Sequence, residues 1–321
     1  MKSSLRVGML VVESGEKQYG PLKIAARADG SDIFIPLMII NGREDGPILN
    51  ISGGCHGDEF EGMEAVRRIY RAIDPNELKG AIIGSPVVNT PALEVGQRCS
   101  YVDQYNLNRC FPGKENGFLT ERFAYVYFNE VIRKADYVMD FHGGGNIMCL
   151  APIAIYRDIG GENVAKKAEE LVKATGIDLV WKGSGGWIGP ISLEAQKIGI
   201  PAITVEVAGE ARVRESVIQQ FETMIYNVLS YFRMIQGEPD LPKKVQFFEG
   251  TFINCTNGGF YQQSVDLKEM VKKGDLLATI CNVYGEVVEE IRAPFEGIVC
   301  SKRTFGTIEP GGWTLMIGKL L

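Results

Sequence analysis

Histidine is almost missing from this chain: two residues in 321. Other shortages narrow the field before any motif is read. No dense run of Lys or Arg occurs and the formal net charge is -6, so nothing draws the chain generally to phosphate backbones or anionic lipid. Nucleic acid and membrane surfaces are therefore not expected as partners. The opening segment MKSSLRVGMLVVESGEK holds only the apolar stretch Val7–Val12 before charges return, shorter than a signal-peptide core and far short of a membrane span. The expected location is cytoplasmic. No C-x-x-C pair is found among the seven cysteines, which are odd in number, so neither a disulfide framework nor a cysteine-based zinc knuckle is indicated. Reduced, mostly buried thiols fit better. Internal repeats and low-complexity tracts are absent too.

What is present belongs to an ordinary globular protein, with 45% hydrophobic and 23% charged residues. The length suits one large domain plus a smaller one. From about residue 32 to residue 236, short β-branched apolar runs alternate with longer amphipathic stretches, the pattern of an α/β domain. Strands are predicted at Asp32–Ile40, Pro47–Gly53, Ala81–Asn89, Tyr137–His142, Ile153–Tyr156 and Ala202–Val207, and helices at Glu59–Ile73, Thr120–Lys134, Glu162–Thr175, Ile191–Ile198 and Glu215–Gln236. In the last helix Val217, Phe221, Ile225, Val228 and Phe232 share one face, as core packing requires. Gly237–Lys244 (GEPDLPKK) combines Gly, two Pro and charges, and is read as the domain boundary. This divides the chain into 1–240 and 241–321. Beyond it, short strands punctuated by Gly and Pro indicate a small all-β unit. The first thirty residues are strand-like, and their pattern does not say which unit they join.

Both histidines sit in Gly-rich segments directly after predicted strands, His56 in ISGGCHGDEFEG and His142 in YVMDFHGGG. Loops at strand C-terminal ends of open α/β sheets are free to converge, which is why ligands collect there. Glu59 follows His56 by three residues, so one tight turn brings imidazole and carboxylate to the same side. His56, Glu59 and His142 together make a candidate His₂Glu zinc site with a fourth position open to water. Either histidine alone is as readily a hydrogen-bonded loop residue, and Glu59 alone merely favours a helix N-terminus. The pairing of matching contexts carries the argument. Hydrolysis also needs a base. Glu206 ends the apolar strand PAITVEVAG, where a charge is costly unless it reaches an active site or a cationic partner. Arg98, Asn108 and Arg109 lie in NTPALEVGQRCSYVDQYNLNRCFPG, a segment of low periodicity, and the two arginines are candidate fixed donors for an oxyanion or an anionic substrate group.

These residues closely resemble the succinylglutamate desuccinylase/aspartoacylase family, a branch of the zinc carboxypeptidase-like fold. The resemblance spans Leu37 to about Arg233. The family's G-x-H-G-x-E motif reads Gly54-Cys-His-Gly-Asp-Glu59, its second zinc histidine matches His142 in DFHGG, and its base glutamate matches Glu206 in TVEVAG. The resemblance implies a mixed sheet flanked by helices and one zinc ion per chain. By the same resemblance, Arg98 polarises the scissile carbonyl, at the spacing set by Asn89 and Ala92, while Asn108 and Arg109 bind the substrate carboxylate. Asn106 stands where the family usually has Asp, which bears on fine positioning. The Phe-Pro-Gly after Cys110 is similar to the bacterial predicted-deacylase branch, which includes an N-acetyl-diaminobutyrate deacetylase.

The C-terminal stretch VKKGDLLATI through EEIRAPFEGIV resembles biotinyl/lipoyl barrel-sandwich carrier domains. Such carriers need a lysine on an exposed hairpin ahead of the Ala-Pro pair, and Glu286 stands there instead. An accessory role in packing, homo-oligomerisation or access to the site is expected. The leading expectation is a zinc hydrolase acting on the amide of a small N-acylated amino acid or related amine, not on peptide bonds. Carboxypeptidase or amidase action on short peptides would use the same residues with a different pocket. A non-catalytic metal-binding scaffold is the third reading. A cysteine hydrolase built on Cys55 is the weakest, because adjacent residues seldom face each other in a strand or turn. Trp181–Ser192 (WKGSGGWIGPIS) is read either as a mobile flap or as a long connection.

Overall fold

The computed structural model describes residues 2–183 and 188–321. Its main element is a mixed sheet of twelve strands. From one edge to the other the order is Met270–Val271, Gly297–Arg303, Trp313–Leu320, Gln246–Asn254, Leu179–Gly183, Met148–Arg157, Ala202–Gly209, Tyr137–His142, Glu44–Ser52, Lys79–Ser85, Asp32–Asn41 and Glu16–Ala26. Four neighbouring central strands, from Ala202–Gly209 to Lys79–Ser85, run parallel, so their C-terminal ends open on one side.

Strand side chains alternate between faces, and the core divides accordingly. Leu49, Ile51, Met139, Phe141, Ile203 and Val205 pack against the helices Phe60–Ala72, Glu162–Ala174 and Glu215–Tyr231. On the opposite face Val138 and Ala202 pack against Leu119–Glu130 and Ile191–Lys197. Further along that second face the same alternation yields polar groups: Asn50, Ser52, Asp140, His142, Thr204 and Glu206. The apolar face is therefore continuous, whereas its reverse turns polar towards the strand ends. That is where a site can form without breaking the core.

Most expected elements are present, with informative differences at their ends. The expected strand Ala81–Asn89 stops at Ser85, and Asn89 instead caps a short helix, Thr90–Val95, by accepting from the Ala92 amide at 3.2 Å. The expected helix Glu215–Gln236 ends at Tyr231. There Arg233 turns left-handed at φ 55°, and Met234 N–H donates back to the Leu229 carbonyl at 2.7 Å. Glu16–Ala26 answers where the N-terminal segment belongs: it pairs antiparallel with Asp32–Asn41 at the edge of the main sheet.

Beyond Gly237–Lys244 the chain returns to the main sheet. Gln246–Asn254 pairs in parallel with Leu179–Gly183, and Gly297–Arg303 pairs with Met148–Arg157. A second, four-stranded sheet runs Val287–Arg292, Leu276–Cys281, Gly259–Gln263, Thr307–Ile308. It packs over the C-terminal strands of the main sheet around Tyr261, Leu277, Ile280, Val299, Leu315 and Ile317. The hairpin carrying Glu286 has an exposed tip, where Tyr284 is 87% accessible. Among the described residues, no helix is long and apolar enough to cross a membrane.

Candidate metal centre and substrate pocket

His56 lies in the loop after Glu44–Ser52, and Glu59 is the residue immediately before the helix Phe60–Ala72. The turn between them is packed tightly. A Cβ at Gly57 would lie 2.1 Å from the Ala92 backbone, so only glycine lets the loop sit against the helix Thr90–Val95. Asn89 ties the two segments together from the other side by donating to the Cys55 carbonyl at 3.3 Å. His142 ends the strand Tyr137–His142. The three residues are buried, and one ligand atom from each lies within 4.8 Å of the others.

The hydrogen bonds around this group define its chemistry. His142 Nε2 donates to Asp140 Oδ2 at 2.8 Å, and Ser52 Oγ donates to the other Asp140 oxygen at 2.8 Å. His56 Nε2 donates to Asn106 Oδ1 at 3.1 Å. Each ring thereby spends its proton on Nε2 and turns the lone pair of Nδ1 inward. The two Nδ1 atoms lie 3.2 Å apart and stand 2.8 and 2.9 Å from the two oxygens of Glu59. Four ligand atoms converging at these distances suit a shared cation. A divalent ion of zinc's ligand preference fits this donor set, with Asp140 and Asn106 as the outer groups that orient the rings. Asn106 also accepts from the Asn108 amide at 2.9 Å, so the neutral amide performs the orienting task at this position.

Without an ion the electrostatics are strongly perturbed. Burial, then the Arg98 charge, pulls the His56 imidazole down to about 4. Burial acts to lower His142 as well, but the Asp140 and Glu59 carboxylates outweigh it and hold that imidazole well above its ordinary value. Burial would raise Glu59, yet the two histidines pull it below the carboxylate range. Cys55 is fully buried, and desolvation holds its thiol well above the ordinary value. Buried away from the pocket lining, Cys55 is poorly placed for nucleophilic attack, which speaks against the cysteine-hydrolase reading.

Glu206 stands beside His142 in parallel register, and burial pushes its carboxyl up to about 8. The strand bulges directly after it, between Glu206 and Ala208, and Ala208 adopts φ 54°. Arg98 reaches Glu59 Oε1 at 3.5 Å, and its side chain is 39% exposed. Asn108 and Arg109 form the single turn Leu107–Arg109. Arg98, Asn108, Arg109 and Glu206 line one pocket next to the histidines, so the structure brings all seven sequence-derived residues to one place.

Residues 45–232 match the family described as the succinylglutamate desuccinylase/aspartoacylase catalytic domain. The chain belongs to that family. It is similar to the N-alpha-acetyl-L-2,4-diaminobutyric acid deacetylase of Halomonas elongata, 26% identical over 322 residues that cover 96% of this chain and 93% of the relative. It is 28% identical to the succinylglutamate desuccinylase of Ectopseudomonas mendocina over 53% of this chain and 52% of that one. Among solved structures, the product-bound ectoine utilization protein EutE (DoeB) of Ruegeria pomeroyi superposes with a TM-score of 0.88 at 27% identity, covering 94% of each chain. By their names, the two curated relatives remove acyl groups from small N-acyl amino acids.

In this member of the succinylglutamate desuccinylase/aspartoacylase family the site also contains residues that sequence reasoning missed. Asp140 was legible: it lies two positions before His142, hence on the same strand face. Arg157 ends the apolar strand PIAIYR, and the argument that selected Glu206 would have selected it too. Phe252, Trp313 and Met316 form a wall contributed by the C-terminal strands. Phe252 stacks on Trp313 with ring centroids 4.6 Å apart. No local pattern pointed to these three, since only sheet pairing carries them to the site. Of the segment Trp181–Ser192, Trp181, Gly183 and Pro190 line the pocket, whereas residues 184–187, the centre of the expected flap, lie outside the described residues.

Proposed function

We propose that the chain is a zinc-dependent deacylase that hydrolyses the amide bond of a small N-acylated amino acid or related amine. The observation that carries this reading is the set of converging acceptors from His56, Glu59 and His142 next to a pocket lined by Glu206 and arginines. His56, Glu59 and His142 would hold the ion. When bound, zinc supplies Lewis-acid polarisation of the amide carbonyl and activates the hydrolytic nucleophile.

The remaining work falls to the chain's own side chains. Glu206 takes the proton of the attacking water on its carboxylate and returns it to the leaving amine nitrogen, a role suited to a carboxyl shifted towards neutrality. Arg98 offers its guanidinium to the oxygen that becomes negative as the carbonyl turns tetrahedral. Asn108 and Arg109 grip a substrate carboxylate and fix the amide over Glu206. Asp140 keeps His142 in the tautomer that turns Nδ1 inward.

The C-terminal strands act in this reading as an accessory unit, related in shape to a barrel-sandwich, that supplies a wall of the pocket and limits it to small substrates. The enzyme would work in the cytoplasm, where its thiols stay reduced. Metal analysis of purified protein, followed by a panel of N-acyl amino acids set against dipeptides, tests the proposal. Stoichiometric zinc with turnover of acyl amino acids is the expected result. Faster hydrolysis of dipeptides would instead establish a peptidase, and metal without any turnover a scaffold.

A further inference from the structure

Arg157 is the most unusual charge in the molecule outside the metal centre. It is 7% exposed, lines the pocket, and among the described residues forms no ion pair with any carboxylate. One guanidinium nitrogen donates to Ser192 Oγ at 3.0 Å, while Nε is buried with no acceptor among the described residues. Burial, then repulsion from Arg109, pulls this guanidinium down to about 10. A buried cation normally keeps a counter-charge, because its desolvation is otherwise uncompensated. Among the described residues no acceptor fills that place, which leaves it open to a ligand.

The surroundings are built to present that charge. Gly183 pairs with Arg157 across the sheet and lines the pocket beside it. Ser192 Oγ lies 2.7 Å from Thr204 Oγ1. With Ser192 accepting from Arg157 and donating to Thr204, the Thr204 hydroxyl hydrogen is free for the pocket it lines. The site is also separate from the chemistry. Glu206 pairs with Ile153, and Arg157 lies four residues further along that strand, roughly 13 Å at strand spacing. Ile153 and Ile155 occupy the floor between them, with Trp181 beside Ile155. Charge counting agrees: the pocket is lined by Arg98, Arg109 and Arg157 against Glu206 alone.

We propose that Arg157, with the Thr204 hydroxyl, is a substrate-binding and specificity-determining pair that takes a second carboxylate of the substrate, beyond the one held by Asn108 and Arg109. This deepens the deacylase reading and rests on it for the word substrate. The second carboxylate sits either on the amine half or on the acyl half of the molecule, and binding decides between them.

Stopped-flow binding to the zinc-loaded protein, read before turnover, uses two isosteric pairs. N-acetyl-L-glutamate against N-acetyl-L-glutamine probes the amine half, and N-succinylglycine against its terminal carboxamide probes the acyl half. In one pair the carboxylate member should bind at least about tenfold more tightly, as a charge-assisted hydrogen bond to a buried group provides. Arg157→Met should erase that preference and leave the neutral member's affinity within about threefold, while Arg157→Lys, which keeps charge without the planar fork, should retain part of it. Equal affinities within both pairs in the unmodified protein would overturn the proposal without any variant having to fold, as would an undiminished preference in Arg157→Met. Because the readout is binding, a preference without turnover of any of the four compounds would count against the deacylase reading alone.

Discussion

Asp140 and His142 lie two residues apart on one strand, and the carboxylate of the first accepts the Nε2 proton of the second at 2.8 Å. This contact selects the tautomer that turns His142 Nδ1 towards Glu59 and His56. Asp140 is completely buried and is itself held by Ser52. Replacing Asp140 by Ala should weaken zinc binding by about 10- to 100-fold while Glu59 and both histidines remain in place. Competition with a chromophoric chelator measures this; unchanged affinity would remove Asp140 from the centre.

Glu206 touches the pocket but is not part of the converging acceptor set. Glu206→Ala should therefore keep its zinc and lose on the order of 10² or more in kcat. Metal content and steady-state kinetics on the same preparation separate the two effects. Near-normal turnover would sink the assignment of Glu206 as the base.

The same residue makes metal-free protein sensitive to pH. The Glu206 carboxyl rises from an ordinary 4.5 to about 8 in the fold, so between those values the folded chain holds a proton that the unfolded chain releases. Its contribution to stability is complete below about 4.5 and is lost as pH rises through about 8. His56, pulled down to about 4, works in the opposite sense, so the comparison needs a variant. Between about pH 5 and pH 8, Tm of chelated wild-type protein should fall more steeply than that of Glu206→Gln. Parallel curves would show that Glu206 is not held protonated.

The strand Gln246–Asn254 pairs with Leu179–Gly183, and Phe248, fully buried, stacks on Trp181 with ring centroids 6.2 Å apart. Removing residues 241–321 would open the edge of the main sheet and strip one wall from the pocket. We expect urea unfolding of the whole chain to show one transition by both circular dichroism and tryptophan fluorescence. Two well-separated transitions would mark the C-terminal strands as an independently folding domain.

Phe252 and Trp313 touch the pocket without touching the metal centre. Trp313→Ala should raise KM for small acyl amino acids several-fold and change kcat less, since it removes a wall rather than a reacting group. A loss confined to kcat would mean that the wall acts on the chemistry itself.

The sequence alone marked out the candidate metal centre and the residues beside it, for a physical reason. Ligands must lie where backbone turns free them from the core, and such turns announce themselves as Gly-rich segments after apolar strands. Two histidines placed so, with Glu59 one turn from His56, were enough. Period-two alternation carried the rest of the parallel core, so Tyr137–His142 was located to the residue. The same logic reaches Glu206 and would have reached Arg157, because a charge ending an apolar strand has few uses other than a pocket or a partner.

Tertiary structure alone decided what surrounds that centre. Phe252, Trp313 and Met316 are ordinary members of β-strands in sequence, and only the pairings of Gln246–Asn254 with Leu179–Gly183 and of Gly297–Arg303 with Met148–Arg157 bring their part of the chain into the pocket. Strand pairing between segments so far apart depends on complementary edges rather than on any local pattern. It places strands from beyond Gly237–Lys244 along the wall of the pocket. It also left Arg157 buried with no ion pair among the described residues, a property of three-dimensional neighbours that no spacing along the chain encodes.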